Sequence, residues 1–198
     1  GQESMSNAPH AINISDEQKL EESNLVDTMI KDGLWDAFNG YHMGVTAENV
    51  ASKWKITRRD QDDFALSSQL KAEQAQKEGK FKNEIVPIFL KSKNSNTKFE
   101  IDEHPRTRMT IERLTKLKPS FKKNGTVTPG NASGINDGAA AVVLMSHEEA
   151  NKRNLKPLAK IVSWATCGVD PSLMGLGPIP ASKKALKKAG WEISDLDL

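Results

Sequence analysis

Gly125-Thr-Val-Thr-Pro-Gly-Asn-Ala-Ser-Gly-Ile-Asn-Asp-Gly138, followed at once by Ala139-Ala-Ala-Val-Val-Leu-Met145, is the stretch on which the fold reading turns. Small residues that give way to branched ones predict a loop running into a strand buried on both faces. Downstream, Ser146 to Glu149 has the spacing of a capping box and opens a short helix, with Pro157 beyond its end. Leu158 to Ala165 reads as a second strand. Pro180 then sits in the first turn of a helix with Ala181, Ala185, Leu186 and Ala189 on one face and Gly190 as its stop. Trp191 to Leu198 alternates apolar and polar residues as a strand does. Strand, helix, strand, helix, strand is the pattern of a layered α/β protein. The last alternation ends on Leu198 without a polar tail and the chain opens at Gly1-Gln2, which together point to a piece of a longer protein.

Upstream of Gly134 to Asn136 the character changes. The stretch to about Lys31 is polar and reads as loop with one short helix at most. Thr46 opens a helix with Ala47, Val50, Ala51 and Trp54 at helical spacing. Thr57 is an N-cap with Asp60 in the capping-box position, and the helix it starts carries Phe64, Ala65, Ser68, Ala72 and Ala75 on one face and stops at Gly79. The opposite face, thick with Lys, Glu, Gln and Asp, reads as solvated. Glu84 to Leu90 reads as an edge strand because of Pro87, and Lys91 to Lys98 as a polar loop.

Composition removes several function classes. The 198 residues carry 28 Lys+Arg against 26 Asp+Glu, a net charge of +2, which does not suit a module living on bulk positive charge. The longest apolar run, Gly138 to Met145, is far shorter than the ~20 residues of a membrane span. One cysteine, Cys167, excludes an internal disulfide framework and a Cys-rich zinc site, and suits a reducing compartment. His10, His42, His104 and His147 lack ligand spacing, so no metal site is expected. No phosphate-binding GxxxxGK[ST] run occurs, and Met174 to Pro180 has Pro where a dinucleotide fingerprint needs its third Gly. Lys116 to Lys123 is basic but has no interleaved aromatic ladder for nucleic acid.

Three segments are less ordinary. Tyr41-His-Met-Gly-Val-Thr-Ala-Glu-Asn49 places a His-Met pair ahead of a helix start. Gly125 to Gly138 has side chains small enough for a ligand to reach the backbone, and leaves N–H groups and the Ser133 hydroxyl to bind it; a tight turn would use the same glycines. Met174 to Ala181 is a Gly/Pro loop ending at a helix N-terminus, where ligand loops and ordinary connections both occur.

These segments, with Gly1-Gln-Glu-Ser-Met-Ser-Asn-Ala-Pro9, resemble the thiolases. The resemblance covers nearly the whole chain in order, and within the family it is strongest to members of the cytosolic type acting on acetyl-CoA. It implies part of a five-layer α/β fold built from two βαβαβαββ halves with an inserted loop domain. Residues 1–133 would be that loop domain, serving CoA binding and oligomerisation. Residues 134–156 would close the N-terminal half, and 157–198 would begin the C-terminal half. Strands near Val142 and Ile161 would then lack the neighbours that bury them, and the chain alone would be marginally stable.

The implied activity is condensation of two acetyl-CoA to acetoacetyl-CoA and CoA, or its reverse. In the family a cysteine thiolate takes the acyl group and a second cysteine serves as acid/base at the α-carbon. A His and an Asn-held water stabilise the enolate. The motifs carrying these groups are not among these residues, and Cys167 matches none of them, so no catalytic residue is assigned and the chain alone is expected to be inactive.

What the resemblance leaves here is CoA-binding surface. Leu34, His42 and Met43 match lining of the pantetheine tunnel, with a core or capping histidine as the plain alternative for His42. Ser133 matches the hydroxyl that bonds a pantetheine amide, Phe121 packs nearby, Arg106 stands beside the adenine, and Met174 borders the acyl pocket. Pro129 occupies a position where Ala is common, and it has no N–H to offer. CoA thioesters would be substrates, with no separate cofactor, metal, nucleic acid or membrane partner. A dimer or tetramer is implied, the latter through roughly His10 to Asp27, in the cytosol. A non-catalytic acyl-CoA-binding or decoy subunit of the same ancestry is the alternative, and a nucleic-acid or scaffold module built on the Lys-rich segments a more distant one.

Overall fold

The structure, a computed structural model, describes residues 1–12, 25–91 and 96–198. Most of the implied tetramer segment and part of the 91–98 loop lie outside the described residues. The rest groups into two compact units, residues 1–50 with 134–198, and residues 51–133.

In the first unit the pairings are short. Strand β1 (Gln2–Glu3) runs antiparallel to β8 (Gly138–Ala139), β2 (His10–Ala11) to β3 (Val26–Asp27), and β4 (Trp35–Asp36) to β5 (Tyr41–His42). Ser6 ties the first pairing down: its N–H and its hydroxyl both donate to the Asp137 carboxylate, the former at 2.9 Å. The β4–β5 turn is closed by Asp36, whose carboxylate accepts from Phe38 N (2.9 Å), Asn39 N (3.2 Å) and Asn39 Nδ2 (2.7 Å), with Gly40 at φ +72°. Helix α1 (Met43–Trp54) follows directly. It begins three residues before Thr46, because His42 Nδ1 accepts the Gly44 N–H at 3.0 Å and so satisfies an otherwise open helix donor.

The run from Ala140 to Met145 forms no strand, although a buried one was expected there. Val142 and Val143 are 81% and 84% exposed, since only the two-residue β1 pairs with this edge and a strand needs neighbours on both sides to be buried. Leu158 to Ala165 likewise forms no strand, and Ile161 is 64% exposed. Its carbonyls and hydroxyl turn to a helix instead. Ser163 Oγ donates to Ala185 O (2.7 Å), and Lys188 Nζ to Trp164 O (3.0 Å), both from α5 (Pro178–Ala189). Helix α5 stops at Gly190, φ +71°, as its sequence requires. Trp191 to Leu198 is not a strand either. Residues Ile193–Asp195 form a 3-10 turn inside a capping box between Glu192 and Asp195, a local solution that needs no partner strand. Ser146 caps the short helix α4 (His147–Lys152) through Glu149 N, as predicted.

The second unit is built on α2 (Arg58–Lys77). Both halves of its Thr57/Asp60 capping box form, and Gly79 ends it at φ +68°. Its inward face is only in part the expected one: Ala65, Ala72 and Ala75 are half-buried. Phe64 and Ser68 are exposed, while Asp62, on the supposedly solvated face, is fully buried. Helix α3 (Ile111–Thr115) lies against α2 and contributes Leu114, which with Val127 and the buried Thr128 makes the unit's core. The expected Glu84–Leu90 strand starts only after Pro87, as β6 (Ile88–Lys91). The last three residues of the expected polar loop begin its antiparallel partner β7 (Asn96–Phe99), with Ile88 opposite Phe99 and Leu90 opposite Thr97. Cross-strand pairs of branched and aromatic residues carry that hairpin against a polar composition.

Candidate functional site

In the first unit Met43 and Met174 line one hollow of about 450 Å³, although they come from opposite ends of the chain. Met43 is there because His42 starts α1 one residue earlier. Met174 is there because Asp170 caps the 3-10 turn Pro171–Leu176, accepting from Ser172 N at 2.9 Å. Asn49 of α1 fixes that turn by donating to Ser172 O (3.2 Å) and to the Tyr41 hydroxyl (3.1 Å). The walls are completed by the apolar Trp35, Ala37, Phe38, Val169 and Pro171, by Asp36 and by Thr46. Thr46 Oγ1, on a residue 2% exposed, is buried with no hydrogen-bond partner among the described residues. A mainly apolar slot with few polar groups suits a small acyl or thioether group.

Leu34 lines a separate depression of about 500 Å³ with Met5, Pro9, Thr28 and Met29. His42 is half-buried, and its Nδ1 accepts the Gly44 N–H at 3.0 Å. Leu34, His42, Met43 and Met174 therefore belong to the first unit.

Arg106, Phe121 and Ser133 belong to the second. The loop carrying Arg106 is laid along α2: Arg106 N donates to Gln69 Oε1 (2.8 Å) and Arg108 N to Glu73 Oε2 (3.2 Å). The Glu73 carboxyl is held below its ordinary value by its hydrogen bond to Lys77, aided by Arg108 N. With its backbone pinned, the exposed Arg106 side chain is left to solvent and any phosphate there. Phe121 is half-buried. Ser133 is exposed, two residues beyond a turn in which Thr128 O accepts Asn131 N (3.2 Å). Pro129 is second in that turn, a position suited to its fixed φ, so its missing N–H leaves no gap. Cys167 is exposed, and its thiol donates to the Gly168 carbonyl at 3.7 Å. Among the described residues no three His, Cys, Asp or Glu are grouped to hold a metal, and no helix is long and apolar enough to cross a membrane.

Residues 1–148 match the family model of the thiolase N-terminal domain, and residues 155–198 that of the thiolase C-terminal domain. The chain belongs to the thiolase family. Its helices and strands are part of the thiolase fold. Over all of its length this thiolase chain superimposes on the acetyl-CoA acetyltransferase of Bacillus anthracis with a TM-score of 0.90 and 45% identity, covering 50% of that chain. On human mitochondrial 3-ketoacyl-CoA thiolase in complex with CoA it does so with a TM-score of 0.88 and 44% identity, covering 49%. In sequence it is 61% identical to the acetyl-CoA acetyltransferase of Paracoccus denitrificans over 198 residues, 51% of that protein. It is 54% identical to the cytosolic acetyl-CoA acetyltransferase of Mus musculus over 200 residues, 50% of that protein. The chain thus spans about half the length of the curated relatives it matches.

Motif reading missed Trp35, Phe38, Thr46, Val169 and Pro171. The Asp36 to Gly40 turn signal could have placed Trp35 and Phe38 beside His42. Nothing local announces Val169 or Pro171, which reach the hollow only through the fold.

Proposed function

We propose that this chain carries CoA-binding surface of an acetyl-CoA C-acetyltransferase, an acyltransferase that condenses two acetyl-CoA to acetoacetyl-CoA and CoA or runs the reverse. The observation that carries this is the shared apolar hollow of Met43 and Met174 beside a histidine whose Nδ1 is already engaged. A two-carbon acyl group suits a slot walled by methionines, which are flexible and polarisable. Leu34, His42, Met43 and Phe121 would line the pantetheine arm, Ser133 would bond one of its amides, Arg106 would stand at the adenine end, and Met174 would border the acyl group. The CoA thioester is itself the substrate, and no separate cofactor or metal enters.

The chemistry needs two thiols, one to hold the acyl group and one to move a proton. These residues include a single cysteine, which is exposed. The chain therefore binds without turning over, and the reacting thiols belong to polypeptide outside these residues. Cytosolic location is supported by the likeness to the mouse enzyme, and a role in lipid metabolism and dimer or tetramer assembly rest on the thiolase resemblance. The single thiol also favours a second reading, a non-catalytic acyl-CoA-binding subunit, which would form a defined oligomer by itself.

Calorimetric titration of the chain with CoA, paired with an assay of acetoacetyl-CoA thiolysis, tests the proposal. Saturable binding without thiolysis is expected. Absence of binding, or turnover by this chain alone, would refute it.

A further inference from the structure

The second unit contains a buried charge that the reaction does not use. Asp62, fully buried on α2, accepts from Arg58 Nε at 2.8 Å through one oxygen and from Asn131 Nδ2 at 3.0 Å through the other. Asn131 is itself fully engaged: the same Nδ2 donates to Thr126 O (3.0 Å), and Oδ1 accepts the Thr128 N–H (2.8 Å). Arg58 Nη2 reaches past the pair to Leu114 O (2.7 Å) and Leu117 O (3.1 Å) at the end of α3. Gln61, one residue from Asp62, donates to Thr126 Oγ1 at 2.8 Å.

The segment 126–131 is therefore held to α2 at both its ends, by Gln61 at Thr126 and by Asp62 at Asn131, and Ser133 follows two residues later on the exposed surface. A Pro-Gly turn holds its shape without such help, and a well-packed apolar pair would fill the same space at lower desolvation cost. A buried carboxylate that bonds an amide in one orientation does something packing cannot, which is to fix rotation and register. A hydroxyl that must meet a ligand amide at about 3 Å needs that fixing.

We infer that Asp62 and Asn131 are positioning residues that set where the Ser133 hydroxyl stands for its ligand amide. This rests on the CoA reading given above. Arg58 pairs with the carboxylate and ties the assembly to the carbonyls at the end of α3.

The test is calorimetric titration of CoA into the full chain and its variants Asn131→Ala, Asp62→Asn, Ser133→Ala and the double variant Asn131→Ala/Ser133→Ala. Each single change is expected to weaken CoA about tenfold. The double variant should bind no worse than Ser133→Ala alone, since the effect of residue 131 passes through residue 133. Should Asp62→Asn fail to fold, Asn131→Ala, which leaves the Arg58–Asp62 pair intact, carries the test. Unchanged CoA binding in Asn131→Ala, or losses that multiply in the double variant, overturns the inference and leaves the CoA reading standing. If the parent chain takes up no CoA, the functional reading fails instead. Deuterium exchange then decides the positioning role: faster exchange confined to residues 126–133 in Asn131→Ala upholds it, and unchanged exchange overturns it.

Discussion

Gly130 presses its bare Cα face onto Leu114: a methyl group built there would come within 2.6 Å of Leu114 Cδ2 and 2.5 Å of Leu117 Cδ1. Leu114 is completely buried, so it cannot swing aside into solvent, and the turn is held from behind by Asn131. Gly130→Ala should therefore destabilise the second unit by about 1–3 kcal/mol, the usual range for overpacking a filled core. Urea unfolding followed by fluorescence reads this. A neutral result would mean that α3 is free to shift.

Thr57 and Asp60 satisfy each other's backbone N–H at the start of α2, at 3.1 Å and 2.8 Å. Thr57→Ala is expected to remove about 1 kcal/mol, the ordinary worth of an N-cap. The loss should show in the same unfolding transition as Gly130→Ala.

The Asp60 cap has a pH signature. Its carboxyl is held below its ordinary value of 3.8, first by the Thr57 hydroxyl and then by the Thr57 N–H. A depressed folded-state pKa means that the ionised form stabilises the fold. That contribution is complete above the unfolded value and fades as pH falls through the lower folded one. Asp60→Asn should flatten the acid limb of stability against pH below about 4, where free aspartate protonates. A parallel acid limb in parent and variant would contradict this.

Asp137 behaves alike for a different reason. Its carboxyl is lowered chiefly by the Ser6 hydroxyl and then by the Ser6 N–H. Protonation in acid, again below the ordinary value, removes the acceptor that joins residues 4–6 to β8. Protection of the Ser6 amide should be lost there before protection in α2 is, and Asp137→Ala should show that loss already at neutral pH.

Val142, Val143, Leu158 and Trp164 give the first unit apolar surface that its described residues do not cover. Exposed apolar side chains in such number drive association. The chain is expected to self-associate with rising concentration. Val143→Lys with Leu158→Lys should suppress this in light scattering while changing stability by less than about 0.5 kcal/mol each, since both side chains are exposed.

Much of this molecule was legible before its structure was known, because the signals involved are local. The Thr57/Asp60 box, the Ser146 cap and the stops at Gly79 and Gly190 all formed where the residues placed them, since each needs only a few neighbouring atoms. Strands failed where they depended on distant partners. Val142 to Met145 and Leu158 to Ala165 have strand-like composition, yet a ladder requires a second chain segment alongside, and none pairs with them among the described residues. Asn96–Phe99 went the other way, being drawn into a hairpin by Ile88–Lys91 despite its polar letters.

Family membership, the small-residue loop at Gly125 to Gly138 and the His-Met pair at 42 and 43 belong to the amino-acid order alone, since such motifs keep their meaning in any arrangement. That Met43 and Met174 share one hollow, that Thr46 lines it with Oγ1 unbonded among the described residues, and that Asp62 is buried to hold Asn131 are facts of folding. Burial and long-range contact depend on which faces meet, and periodicity along a chain names the faces without saying what they will meet.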